Sequence, residues 1–178
     1  FHPHPIMSIL LPLPVGQSSC CELLDFEVES EVDLETLPAL LNAGCPEGLR
    51  VCKAYEAVRP VRDLAFVAAD VILLYDHGVP LGAADAVRAL FSRKEVLIRK
   101  KTKRKALADV DLIPLIRSFE LEEEERQLCI HTIVSAQNPG LNPALLAVAV
   151  EKELPQYVPD FSLVRRTDVL DAEGKPFR

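Results

Sequence analysis

The chain has no tryptophan and one methionine, Met7, and aromatic residues make up 6% of its 178 positions. Base-stacking platforms for single-stranded nucleic acid are therefore scarce, and none stands near the chain's densest run of basic residues. The five cysteines are Cys20, Cys21, Cys45, Cys52 and Cys129. Their number is odd, two are adjacent and no CxxC spacing occurs. This excludes a disulfide framework and an iron–sulfur or zinc site built from cysteines alone, and fits reduced, buried thiols. Apolar runs such as Val71–Tyr75 are far too short to span a bilayer, and no segment has the basic–apolar–small pattern of a signal peptide. A cytoplasmic protein without membrane contact is the expectation. The first residue is Phe1 rather than Met, and the chain opens inside a proline-spaced apolar segment. The sequence thus reads as a piece whose natural N-terminus lies upstream.

What is present suffices for a packed core, since hydrophobic residues make up 49% of the chain and charged ones 26%. The net charge is −7. Against it stands the stretch Arg93–Lys105, RKEVLIRKKTKRK, with eight basic residues and one acidic, a formal +7 that leaves −14 for the rest. Val96, Leu97 and Ile98 make its first half strand-like, and the rest a basic loop.

In chain order, Ile6–Leu11 reads as a short strand. Pro12 and Pro14 cannot donate to a ladder and mark an edge or loop, and Gly16–Ser19 reads as a turn. Cys21–Glu29 alternates, with Leu24, Phe26 and Val28 expected inward. Asp33 reads as the cap of a helix carrying Leu34, Leu37, Leu40 and Leu41, Gly44 stops it, and Leu49–Val58 is expected to be a strand. Phe66–Tyr75 reads as a buried strand and Ala83–Phe91 as a helix. The basic strand follows, then Val110–Glu122 as a strand broken or bulged near Pro114, and an acidic turn at Glu122–Glu125. Gln127–Ser135 is a strand with Leu128, Ile130, Thr132 and Val134 on one side. Asn142 caps a helix opened by Pro143. Phe161–Leu170 is the last strand, and DAEGKPFR is expected to fray.

The second half gives β-α-β-β-β-α-β, the split β-α-β pattern of a ferredoxin-like unit with one extra hairpin strand. The first half is that pattern without its opening β-α. The predicted class is α+β: tandem ferredoxin-like units, a partial one over 1–59 and a second over 60–178.

Several motifs form a familiar set: FHPHPIMS (1–8), LPLPVG (11–16), Ser18–Ser19, Glu22 and Asp25, LLNAGCPEGLRV (40–51), ADVDLIPLIRSFEL (108–121) and LNPALL (141–146). Over nearly its whole length the chain resembles a bacterial domain of unknown function found with radical SAM proteins, either alone or fused behind a cobalamin-binding radical SAM enzyme. His2, where that family usually has Asn, and the Cys21–Leu24 stretch, where an aromatic is common, depart from the pattern. The family's upstream Ser-His-x-Asp segment and Arg-rich helix are not in this sequence. The resemblance implies a radical SAM protein as partner. At fold level alone it is also similar to CRISPR-associated endoribonucleases.

Three groups of residues are candidates for function. Arg99, Lys100, Lys101, Lys103, Arg104 and Lys105 are placed to neutralise phosphates of RNA or another polyanion, or else the acidic turn at Glu122–Glu125. His2, His4, Ser18, Ser19, Glu22 and Asp25 are placed for a polar pocket beside the PLPVG turn. His77 and His131 stand alone and read as structural. No reaction, metal, cofactor or DNA contact is expected. The leading reading is a non-catalytic binding or adaptor domain, and its rival is an RNA-processing or RNA-modifying enzyme whose catalytic residues are His4 or lie upstream.

Overall fold

A computed structural model describes residues 6–101, 107–137 and 139–178. Most of the buried hydrophobic residues form one continuous cluster centred between a five-stranded sheet and two helices. The first strands are β1 (Met7–Leu10), β2 (Ser18–Ser19) and β3 (Leu23–Phe26), followed by the short helix α1 (Leu37–Asn42). Then come β4 (Leu64–Leu74), α2 (Ala83–Phe91), β5 (Leu97–Lys101), β6 (Leu107–Asp111), β7 (Ile116–Glu123), β8 (Gln127–Ser135), α3 (Ala144–Glu153) and β9 (Phe161–Asp171). This is an α+β architecture. No helix among the described residues is long and apolar enough to cross a membrane.

The main sheet has the order β2-β9-β4-β8-β7. The last four strands pair antiparallel, and β2 joins β9 parallel through Ser18 and Ser19. Alternation decides the faces. Val67, Ala69, Val71 and Leu73 of β4 and Leu128, Ile130, Thr132 and Val134 of β8 are buried. They pack with Val87 and Leu90 of α2 and Leu146 and Val150 of α3 in the same cluster. On the other face, Ala68, Asp70, Ile72 and Leu74 are only half-buried, and Phe161 and Leu163 of β9 are exposed. Helix α2 opens at Gly82, whose φ of 84° suits a residue without a Cβ. Helix α3 opens as expected, with Asn142 Oδ1 accepting the Ala144 N–H at 3.1 Å.

Among the described residues, strands β5 and β6 pair only with each other, forming a ribbon apart from the main sheet. Its base is fixed to the body. Val96 and Ile98 are buried, the Val96 N–H donates to Asp111 Oδ1 at 2.9 Å, and Lys152 Nζ of α3 donates to the Leu97 carbonyl at 2.8 Å. The break or bulge expected near Pro114 is a break, a single helical turn, Ile113–Leu115, between β6 and β7.

The first half departs from expectation in four places. Residues 49–58 form no strand; Asn42 instead holds this segment by exchanging two hydrogen bonds with the Val51 backbone, at 2.8 and 2.9 Å. Leu24 and Val28 are exposed rather than inward, because β1 and β3 make a two-stranded sheet of their own and no layer covers that side. Ser18–Ser19, expected as part of a turn, is the parallel edge strand β2. Asp33 caps the turn ahead of α1, its Oδ1 accepting the Glu35 N–H at 3.0 Å, and only Leu37 of the α1 leucines is buried.

The C-terminal tail does not fray. Asp171 Oδ1 accepts the backbone N–H groups of Glu173 and Lys175, both within 3.0 Å, and the chain folds back so that Phe177 is 4% exposed. Arg59 clamps this turn, with Nη2 at 3.0 Å from Asp171 Oδ2 and its guanidinium over the Phe177 ring.

Candidate functional site

The basic ribbon is the first candidate. Arg99 lies on β5, two-thirds exposed, with Nε 3.4 Å from Asp109 Oδ1 on β6. Lys100 and Lys101 continue β5 opposite Ala108 and Leu107. Lys103, Arg104 and Lys105 lie outside the described residues. The ion pairs of the basic stretch among the described residues are Arg99–Asp109 and Arg93–Glu153, the latter at 3.1 Å and tying the ribbon's base to α3. None runs to Glu122–Glu125; Glu122 faces His131 instead.

The second candidate is a cleft beside the PLPVG turn, with a volume of about 540 Å³. Leu11, Pro12 and Pro14 form one wall, Leu141 and Pro143 the opposite wall, and Val67, Ala69 and Val164 the floor. Three polar side chains enter this carbon lining: Gln17, Asn142 and Arg166. Gln17 Nε2 donates to Asn142 Oδ1 at 2.9 Å and closes one end. Arg166, 8% exposed, occupies a core-facing position of β9. Its Nη1 donates to the Leu11 carbonyl at 2.8 Å and to Glu22 Oε1 at 2.7 Å. Leu11 is the one described non-glycine residue with a left-handed backbone, φ 54°. The guanidinium thus holds the strained corner where β1 turns into the proline segment. On the far wall, a Cβ at Gly140 would sit 2.7 Å from the Ala136 carbonyl oxygen, so the loop before α3 closes only around glycine.

Of the six residues expected to line a pocket here, Glu22 reaches the cleft wall through Arg166. Ser18 Oγ contacts the Val164 carbonyl at 3.5 Å, and Ser19 Oγ accepts the Cys21 N–H at 3.2 Å, so both serve β2. Asp25 is exposed on β3, and His2 and His4 lie outside the described residues. Gln17, Asn142 and Arg166 were missed as lining. The available signal was Arg166 itself, which shares the parity of the inward Val164.

A third group lies on the helix-free face of the main sheet. The pairing register sets Asp70 of β4 opposite His131 of β8, and Cys129 of β8 opposite Glu122 of β7. His131 Nδ1 donates to Asp70 Oδ1 at 2.7 Å, and its Nε2 lies 3.4 Å from Glu122 Oε2. Cys129 Sγ is 3.9 Å from the same Nδ1. The hydrogen bond to Asp70 raises the His131 pKa above its usual 6.5 against an opposing desolvation, and Glu122 adds to the rise. Burial first, then the charges of Asp70, Glu122 and Glu124, push the Cys129 thiol up to about 11, so it is a protonated thiol at neutral pH. The group borders a shallow hollow of about 260 Å³ lined also by Ser118, Glu120, Thr132 and Thr167. His131 is therefore not the solitary histidine expected.

A family model described as an uncharacterized protein conserved in bacteria (DUF2344) matches residues 1–143. No curated protein and no solved structure matches the chain.

Proposed function

The chain belongs to this family of uncharacterized bacterial proteins, and from that premise we propose that it is a non-catalytic binding module that captures RNA or another polyanion on its basic ribbon. One observation supports the reading: among the described residues β5 and β6 pair with each other and not with the main sheet, and Arg99, Lys100 and Lys101 lie on this anchored ribbon. Cations on such an arm approach a phosphate backbone without first desolvating the acidic body, and each phosphate neutralised releases counterions.

The cleft beside the PLPVG turn supports the adaptor side of the proposal. Its carbon-rich lining with three convergent polar groups suits an apolar segment with one hydrogen-bonding end. The resemblance of residues 1–25 to a segment found with radical SAM proteins supplies the partner. We read residues 60–178 as one ferredoxin-like unit, supported by the order β9-β4-β8-β7 with α2 and α3 as crossovers. Residues 1–59 are a partial unit laid against it.

The test is binding to total RNA, titrated with salt. The slope of log affinity against log salt should be about −0.7 per phosphate contacted on single strands. Replacing Lys101, Lys103, Arg104 and Lys105 by Ala should flatten it by about 3. Absence of binding at low salt refutes the polyanion reading, and co-purification with a radical SAM protein free of RNA leaves the adaptor role alone. Cleavage of the bound RNA, abolished by His4→Ala, would replace the proposal with an RNA-processing enzyme.

A further inference from the structure

We propose that Asp70, Cys129 and His131 form a binding site for a divalent transition metal of the zinc class on the helix-free face of the sheet. One donor atom from each lies within 4.8 Å of the other two. The three come from two adjacent strands, with Cys129 and His131 two residues apart on one face of β8 and Asp70 directly across on β4. Side chains fixed by a central sheet need little reorganisation to converge.

Entry of an ion needs a shift of several tenths of an ångström among the three donors. With zinc bonds of about 2.0–2.3 Å, tetrahedral donors sit roughly 3.3–3.6 Å apart. The Cys129 Sγ to His131 Nδ1 separation is 3.9 Å, a few tenths longer. The His131 Nδ1 to Asp70 Oδ1 separation is 2.7 Å, the length of a hydrogen bond whose proton the ion replaces. Binding expels the thiol proton and, from the imidazolium, the Nδ1 proton. The imidazole then keeps its remaining proton on Nε2, which faces Glu122 Oε2 at 3.4 Å. A carboxylate on the outer nitrogen of a ligating histidine fixes the ring and strengthens the donor. Three protein donors leave one coordination position, on the side of the hollow that Asp70 and His131 line with Ser118 and Thr132.

The donor set fixes the class of ion. One thiolate and one imidazole favour zinc, cobalt or nickel over magnesium or calcium, which take oxygen donors. The ion's charge of +2 replaces that of the two expelled protons, so the net charge of the face that holds Asp70, Glu120 and Glu122 is unchanged on binding.

The experiment is titration of the reduced 178-residue chain with Co²⁺, followed by thiolate-to-cobalt charge-transfer absorption and by competition with Zn²⁺. One ion per chain and a charge-transfer band are expected. Cys129→Ser should abolish the band. Asp70→Asn and His131→Gln should each weaken binding at least about tenfold, and Glu122→Gln about tenfold with the band retained. Urea unfolding of each variant controls for folding; if Cys129→Ser does not fold, the His131→Gln and Glu122→Gln results decide. A band that survives Cys129→Ser, or that disappears with Cys20→Ser or Cys52→Ser, places the ion on the exposed thiols and overturns the proposal. So does binding indifferent to His131→Gln.

Discussion

Arg166→Met is the substitution that most directly tests how the N-terminal segment is held to the body. Methionine keeps an unbranched apolar stem against Val67 and Ala69, so the hydrophobic contact survives and the hydrogen bonds do not. Two are lost, to the Leu11 carbonyl at 2.8 Å and to Glu22 at 2.7 Å. A hydrogen bond with a charged partner contributes about 1.5–3 kcal/mol when enclosed. The Glu22 side chain is 29% exposed, so water recovers much of its half, and we assign it about 1 kcal/mol. The Leu11 carbonyl loses a charged donor, worth about 1–2 kcal/mol. Together the expected loss is about 2–3 kcal/mol, or roughly a 1 M drop in urea midpoint for a slope near 2 kcal/mol/M. The loss should also be local. The Cys20 N–H donates to the Arg166 carbonyl at 3.1 Å, and this amide with its β2 neighbours should exchange faster, while β4 and β8 keep their protection. Glu22→Gln alone should cost less than Arg166→Met, since the amide oxygen still accepts. A midpoint shift under about 0.2 M for Arg166→Met, or unchanged exchange across β2, would refute the reasoning.

Asp171→Asn tests the tail clamp through pH. The Lys175 N–H, then the Arg59 side chain and the Glu173 N–H, hold the Asp171 carboxyl below its usual 3.8. A depressed pKa contributes stability that is present above 3.8 and is lost as pH falls through the folded value. The variant should therefore be less stable than the parent at neutral pH and show a flatter acid limb in urea midpoints. Equal acid limbs would remove the clamp from the account. Gly140→Ala should destabilise by about 1–3 kcal/mol in thermal or urea unfolding, because its Cβ meets a backbone oxygen at 2.7 Å and the loop must open. An unaffected midpoint would show that this loop closes without glycine.

Elements carrying their own signal were legible in the sequence. The period-2 pattern of Leu128, Ile130, Thr132 and Val134 gave β8 its bounds and its buried side, and α2 spans the predicted Ala83–Phe91. Asn142 and Pro143 marked the start of α3, and Pro114 the break between β6 and β7. What failed depended on partners. Residues 49–58 look strand-like in composition, yet no neighbouring strand among the described residues receives them, and a pair of hydrogen bonds between Asn42 and the Val51 backbone organises the segment instead. Leu24 and Val28 look inward by pattern and are exposed, because no layer among the described residues covers that side of the β1–β3 pair or the segment after it. The Asp70–His131–Glu122 group was invisible for a related reason. Asp70 and His131 are 61 residues apart, and register alone brings them to 2.7 Å. Arg166 carried a signal of its own, a cation sharing the parity of the buried Val164 in β9.

The separate pairing of β5 and β6 has a consequence for how this protein can change. A strand inside the main sheet cannot gain residues without shifting every neighbour's register. The ribbon has no such neighbour beyond its anchored base. Adding one residue to each side between Lys101 and Leu107 lengthens the arm by about 3.4 Å and leaves Val96, Ile98 and Asp111 where they are. Two on each side give about 6.8 Å and restore the same facing of the side chains. Reach toward a ligand is thus adjustable independently of folding stability, so length variants of the ribbon offer a molecular ruler for how far the bound partner lies from the body.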